Sequence, residues 1–404
     1  MIPFAGTRAD ALQALDEFLD RAPAYGAKRN FVVPGHPHVS RLSPAIRSRL
    51  LLEEECIDAA LTRYSLEHLE KWIQEVLWRT YWKGWLELRP AVWTDYKKSL
   101  QRLRATSPAD ALDRAARVAA GRGGIAVMDR FARELRETGY LHNHARMWWA
   151  AYWIHVERLP WELGADFFLR HLLDGDAASN TLGWRWVAGL QTRGKTYLAR
   201  RSNLEAFCGG DYLADPAGLE RLEEHQAPPA MLPLEDILPP VSLPALPVPW
   251  NLPACGLLIH EEDGCPESGP LAVLQVKTAL SLPATEAAPL VTDYRRTAIA
   301  DTSRRVSLHF ECETTTADPH KPAESIATWA SQNRLRNVVC MNPSTGPLKD
   351  RFADIERTLA SSGVSLWPVR REWDSRLYPL AQRGFFPFKE MAWKQLASRY
   401  DEAH

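Results

Sequence analysis

The alternation of polar and apolar positions along this chain changes period once, and the change divides it. Over residues 8–21, Leu12, Leu15, Phe18 and Leu19 recur three or four positions apart, with Asp16, Glu17 and Asp20 opposite them. That spacing predicts an amphipathic helix. A polar loop follows, broken by Gly26, Pro34, Gly35 and Pro37. Residues 66–89 predict a second, longer helix, in which Trp72, Glu75, Trp78, Arg79 and Trp82 share a side. Helical spacing dominates again from Leu141 to Asn203. The pattern breaks near residue 226, where Pro228, Pro229, Pro233, Pro239, Pro240, Pro244, Pro247, Pro249 and Pro253 predict an extended, stiff linker. Its Leu and Val residues suit a segment that packs along the protein. From Gly256 the short apolar runs GLLIHEE, LAVLQVK, VSLHFE, NVVCMNP and VSLWPV alternate with helical patterns. Between the last two, Leu348, Phe352, Ile355 and Leu359 share one helix face. Such alternation is that of an open α/β sheet. The fold class is therefore multidomain α and α/β: an all-helical domain over 1–225, a linker over 226–255 and a Rossmann-like sheet domain over 256–404.

Composition narrows the functional classes. A formal charge of −1 over 404 residues makes any nucleic-acid surface a local patch. Cys56, Cys208, Cys255, Cys265, Cys312 and Cys340 fall in no metal-ligand spacing, so no metal is expected. No apolar run is long enough for a membrane span, and no secretory signal is read at the start, so a cytoplasmic, monomeric protein is expected. The sixteen tryptophans fit either core packing or electron conduction to a redox cofactor.

Three stretches carry candidate chemistry. Ser40–Pro44 reads SRLSP, two hydroxyls and a guanidinium at a helix start. This suits a phosphate, and equally a plain N-cap with Pro44 in the first turn. Lys97, Lys98, Arg102, Arg104, Arg114, Arg117 and Arg122 form a basic run, either a solvated face or a phosphate-tracking patch. The stretch after Leu141 carries HNHARM (His142 to Met147), DGD (Asp174 to Asp176) and GWRW (Gly183 to Trp186).

On these three motifs the chain resembles the cryptochrome/photolyase family, in its FAD-binding helical domain. The resemblance covers residues 20–205 and is looser over 256–396. It implies a light-driven flavoenzyme, a deoxyribodipyrimidine photo-lyase, that splits cyclobutane pyrimidine dimers in UV-damaged DNA. In that family an electron passes from excited reduced FAD to the flipped lesion. A cryptochrome-like photoreceptor without repair is the alternative, and a scaffold that kept the fold is a third. Tyr25, Ser40, Arg41, Leu42, Ser43, Trp72, Arg146, Asp174, Asp176 and Asn180 match cofactor-binding positions, with Val39 where members carry Thr. Glu75, Trp78, Met147 and Trp186 match the substrate pocket. Glu75, Asn143, Trp161 and Trp184 match catalytic positions, the two tryptophans as an electron relay. The relay's third member is open among Trp93, Trp82 and Tyr96. Arg193, Lys195, Arg200 and Arg201 suit phosphates flanking the lesion. Members place the sheet domain first, so the order here implies circular permutation. The loop HEEDGCPESGP lacks the family's usual pattern, which leaves a second, antenna chromophore open.

Overall fold

The computed structural model describes residues 4–191, 196–222, 238–246 and 249–401. By contact the chain forms two compact units. The first comprises residues 1–3, 21–41 and 89–239, and the second residues 4–20, 42–88 and 240–404.

The first unit is helical. Its core is aromatic: Trp148, Trp149, Tyr152 and Trp153 are all buried, and they occupy the Asn143–Ala151 helix and the π-helical turn Tyr152–Val156 that continues it. The Ala126–Thr138 helix ends on Gly139, whose φ of 70° is left-handed and suits glycine. Before that helix, the Asp129 carboxylate accepts the backbone N–H groups of Gly123 and Gly124 at 2.6 and 3.0 Å, which closes the glycine-rich turn.

The second unit holds a five-stranded parallel sheet in the order β3-β2-β1-β4-β5. Its strands are β1 Cys255–Ile259, β2 Val276–Ser281, β3 Glu313–Thr316, β4 Asn337–Met341 and β5 Ser365–Val369. Alternate strand residues feed two cores, as a pleated strand requires. Leu258, Leu280, Val338 and Cys340 meet Ile326, Trp329, Phe352, Ile355 and Leu359. Leu257, Ile259, Ala279, Val339 and Met341 join Val306 in the other core. The helix face expected from Leu348 to Leu359 is buried as read.

Two strand expectations need correction. VSLHFE is not a strand: its first five residues end the Pro289–Phe310 helix, where Val306 is fully buried, and the strand is the threonine run after it. Apolar content alone does not separate a buried helix end from a strand. Of LAVLQVK, only Val276 and Lys277 enter β2. In the first helix, Arg8–Leu19, Leu12 is 39% exposed and Ala11 takes its place in the core.

Contact groups residues 4–20 and 42–88 with the sheet, a division that composition does not show. Buried ion pairs and rings tie them there. Arg47 reaches Glu261 at 3.1 Å and Arg49 reaches Asp374 at 2.7 Å. Phe18 packs on Trp72 with ring centres 5.4 Å apart. Much of the proline-rich stretch lies outside the described residues. Over 238–246 it runs extended, and the Pro244 and Leu246 carbonyls accept from Arg370 at 3.0 and 3.4 Å.

Candidate functional site

In the first unit three helices converge on the motif residues. His142 caps the Asn143–Ala151 helix, its ring Nδ1 accepting the His144 N–H at 3.1 Å. Asn143, His144, Arg146 and Met147 are the residues of that helix's first turns left wholly or partly exposed beside its buried tryptophans. Arg146 donates from Nε to the Leu141 carbonyl at 2.7 Å and from an Nη to Asp174 Oδ2 at 2.9 Å. The other carboxylate oxygen of Asp174 is buried and has no hydrogen-bond partner. Asp176 caps the Ala177–Val187 helix, with Oδ1 accepting from Ala178 and Ser179 at 3.1 and 2.9 Å. Asn180 donates its amide N–H to the Ala165 carbonyl at 2.8 Å, which fixes the side chain between two helices.

Trp184 is buried over Gly164, where a Cβ would sit 2.2 Å from the indole, so the contact requires glycine. Gly164 lies on the Trp161–His171 helix that Trp161 begins. Tyr96 stands 5.5 Å from Trp161 between ring centres, and Trp93 stands 5.3 Å from Tyr96. Trp82 belongs to the other unit. Trp186 packs on Tyr197 at 5.6 Å.

One residue that the sequence reading left unassigned stands out. A Cβ added at Gly183, in the middle of the Ala177–Val187 helix, would meet no atom within 4 Å. A mid-helix glycine costs about 1 kcal/mol relative to alanine. No neighbouring protein atom accounts for it here, so the signal is the glycine inside GWRW itself. Space beside Gly183 and an open acceptor on Asp174 are thus two separate features of this region among the described residues. A flat heteroaromatic with N–H donors fits both features.

The remaining candidates lie as follows. Tyr25, Ser40 and Arg41 belong to the first unit, and Arg41 has a left-handed φ of 59°. Leu42, buried, and Ser43, which opens the short Ser43–Arg47 helix, belong to the second. Trp72 is a core residue of the second unit, 3% exposed. Glu75 and Trp78 lie one turn apart on the Glu70–Glu87 helix, with Arg79 and Trp82 completing a half-open stripe. Opposite it Trp72, Ile73, Val76, Leu77, Tyr81 and Trp85 are buried. One ring face of Trp78 is covered by Phe385, a contact that sequence reasoning missed.

The basic run is partly absorbed within the first unit. Arg104 pairs with Asp166 and Arg114 with Glu157, each at 2.7 Å. Arg193 and Lys195 lie outside the described residues. Arg201 pairs with Glu205 at 2.8 Å.

Residues 72–207 match the family described as the FAD binding domain of DNA photolyase. Over that region this chain is similar to the photolyase/cryptochrome family. The photolyase-type domain is similar to the deoxyribodipyrimidine photo-lyase of a Synechococcus species, 32% identical over 186 residues, 44% of this chain and 38% of that protein. The Thermus thermophilus photo-lyase is 34% identical over 200 residues, covering 49% and 46%. This chain thus spans less than half the length of these photolyase relatives. A crystal structure of a class III photolyase from Agrobacterium tumefaciens shares 28% identity over 51% of this chain and 44% of that one, with a TM-score of 0.44. Among the described residues, no helix is long and apolar enough to cross a membrane.

Proposed function

We propose that this protein is a light-driven DNA repair flavoenzyme that splits cyclobutane pyrimidine dimers. The observation that carries repair is the stripe on the Glu70–Glu87 helix. On the partly exposed side of this helix a carboxyl group, Glu75, lies one turn from a half-exposed indole, Trp78. A pyrimidine dimer is an apolar wedge with polar imide edges, and an aromatic wall beside a carboxyl group matches both of its surfaces.

Arg146, Asp174, Asp176 and Asn180 would hold the flavin ring, and Ser40, Arg41 and Ser43 its diphosphate. When bound, reduced FAD supplies the photoexcited electron that opens the cyclobutane ring, chemistry that belongs to the cofactor. The protein's part is position and charge. Asp174 orients the Arg146 guanidinium and keeps one oxygen for an N–H donor. Asn143 stands beside them at the start of its helix. Glu75 stabilises charge on the lesion by hydrogen bonding to its imide edge. Trp184, Trp161, Tyr96 and Trp93 are the aromatic residues that would carry electrons toward a bound flavin, Trp161, Tyr96 and Trp93 lying in ring contact. The helical motifs precede the sheet in this chain, which we read as a circular permutation of the family's order.

The test is blue-light repair of a thymine-dimer oligonucleotide by the photoreduced protein, beside dark and Glu75→Ala samples. Light-dependent restoration, slowed about tenfold or more by Glu75→Ala, is the expected result. Bound, photoreducible flavin without repair would overturn this reading and leave a cryptochrome-like photoreceptor.

A further inference from the structure

The turn that opens the Phe385–Asp401 helix makes contacts that the site above does not use. Phe385 lies face to face with Trp78, 3.6 Å between ring centres and 8° between planes. Tyr81 donates its hydroxyl to the Arg383 carbonyl at 2.8 Å and meets Phe385 edge-on at 5.6 Å. One turn on, Lys389 pairs with Glu70 at 2.6 Å. Stacking, a backbone hydrogen bond and an ion pair therefore fix this turn on the Glu70–Glu87 helix.

The next residue contradicts ordinary packing. Phe386 is 67% exposed, with its ring against the edge of Phe385 at 5.9 Å. Arg383, Gly384 and Pro387 are exposed beside it. A lone exposed apolar side chain is unremarkable. This one sits on a pinned turn, follows the Phe385 ring that covers Trp78, and has a guanidinium three residues before it. A rigid exposed ring with a cation beside it is a stacking platform for an unpaired base and its phosphate.

We propose that the Arg383–Pro387 turn is a nucleic-acid contact, in which Phe386 stacks on a nucleotide next to the flipped lesion and Arg383 takes a phosphate of the same strand. The proposal rests on the repair reading above and extends it to a part of the chain outside the matched domain. Glu390, exposed one helical turn beyond Phe386, repels phosphate, so the strand runs on the Arg383 side of the ring. Nucleotides beside a flipped dimer have lost a stacking neighbour, and Phe386 replaces it.

The experiment uses the full-length flavoprotein and fluorescence anisotropy with a thymine-dimer oligonucleotide and its undamaged counterpart, across a salt series. Phe386→Ala should weaken binding of the dimer strand about tenfold, and Phe386→Trp should restore it. Arg383→Gln should weaken both strands alike and lower the salt slope by about one. Bound flavin and thermal unfolding at wild-type levels show that each variant is folded. Unchanged affinity in Phe386→Ala with an unchanged salt slope in Arg383→Gln overturns the contact while leaving repair standing. A wild-type protein that neither binds nor repairs the dimer strand removes the repair reading, and the contact with it.

Discussion

Asp263 and Asp174 each face an arginine, and they differ in what each carboxylate has left to offer. In the sheet-bearing unit Arg371 takes both oxygens of Asp263, from Nε at 2.8 Å and from an Nη at 2.6 Å. The rest of its fork goes to the Ser268 and Cys265 carbonyls at 2.9 and 2.8 Å. Both side chains are buried. In the helical unit Arg146 makes a single bond to Asp174, and the second oxygen is buried without a partner. A desolvated acceptor left unpaired costs about 1–3 kcal/mol. The first pair is complete within the protein, while among the described residues the second leaves one acceptor open. Saturation of the hydrogen bonds, more than burial, separates a structural ion pair from a candidate site.

The largest effect should come from breaking the complete pair. Arg371→Ala leaves buried Asp263 only the longer Arg49 contact at 3.6 Å and should cost about 3 kcal/mol, read as a lower urea midpoint. A loss below about 1 kcal/mol would undo the contrast. The same unit should be acid-sensitive. Burial alone would raise the Glu261 carboxyl, but Arg295, Arg47 and Thr285 outweigh it and hold the group down to about 2. Its contribution is complete above the unfolded value of about 4.3 and is lost as pH falls toward 2.

Asp174→Asn sharpens the other side of the comparison. Arg146 is partly exposed, so the change should move stability by about 1 kcal/mol or less. Bound flavin per chain, read by absorbance, should nonetheless fall about tenfold. A large stability loss with full flavin would make Asp174 a structural residue like Asp263.

The same contrast explains what could be read in advance. The candidate helical site could be picked out because the members of each motif are close in sequence: HNHARM, DGD and GWRW span six residues or fewer. The strands of the sheet were read from apolar runs, which failed at VSLHFE, where a buried helix end and a strand look alike. The ionic joint of Arg47, Arg49, Glu261, Asp263, Arg371 and Asp374 was not legible. Its members lie some 200–300 residues apart and carry no local pattern. Phe385 against Trp78 escaped for the same reason, at a separation that no periodicity spans.

His142 offers a test of intermediate size. Burial, with His36, His144 and Arg146 around it, pushes its imidazole down to about 3. The unfolded chain protonates this residue near 6.5, so between about 6.5 and 3 the unfolded state binds the extra proton and stability falls as pH falls. Protonation at Nδ1 would also break the cap on His144. His142→Asn keeps a capping acceptor and removes the titration. Unfolding midpoints across that window should therefore vary less with pH than in the wild type, and an unchanged slope would assign the acid loss elsewhere.

The smallest expected effect is the most discriminating, because its sign depends on the cofactor. Gly183→Ala adds a methyl group where no protein atom lies within 4 Å, on a helix, at ordinary helical φ. For the flavin-free protein the change should therefore stabilise, by about 0.5–1 kcal/mol, through helix propensity and a less free unfolded chain. For the flavin-loaded protein the same methyl group meets the bound ring, so flavin retention should drop. Thermal unfolding of both forms reads the two signs side by side. If the alanine variant is stabilised equally with and without flavin, the cofactor does not approach Gly183. The open face of the Ala177–Val187 helix would then be ordinary surface, and the unpartnered oxygen of Asp174 would have to be satisfied from another direction.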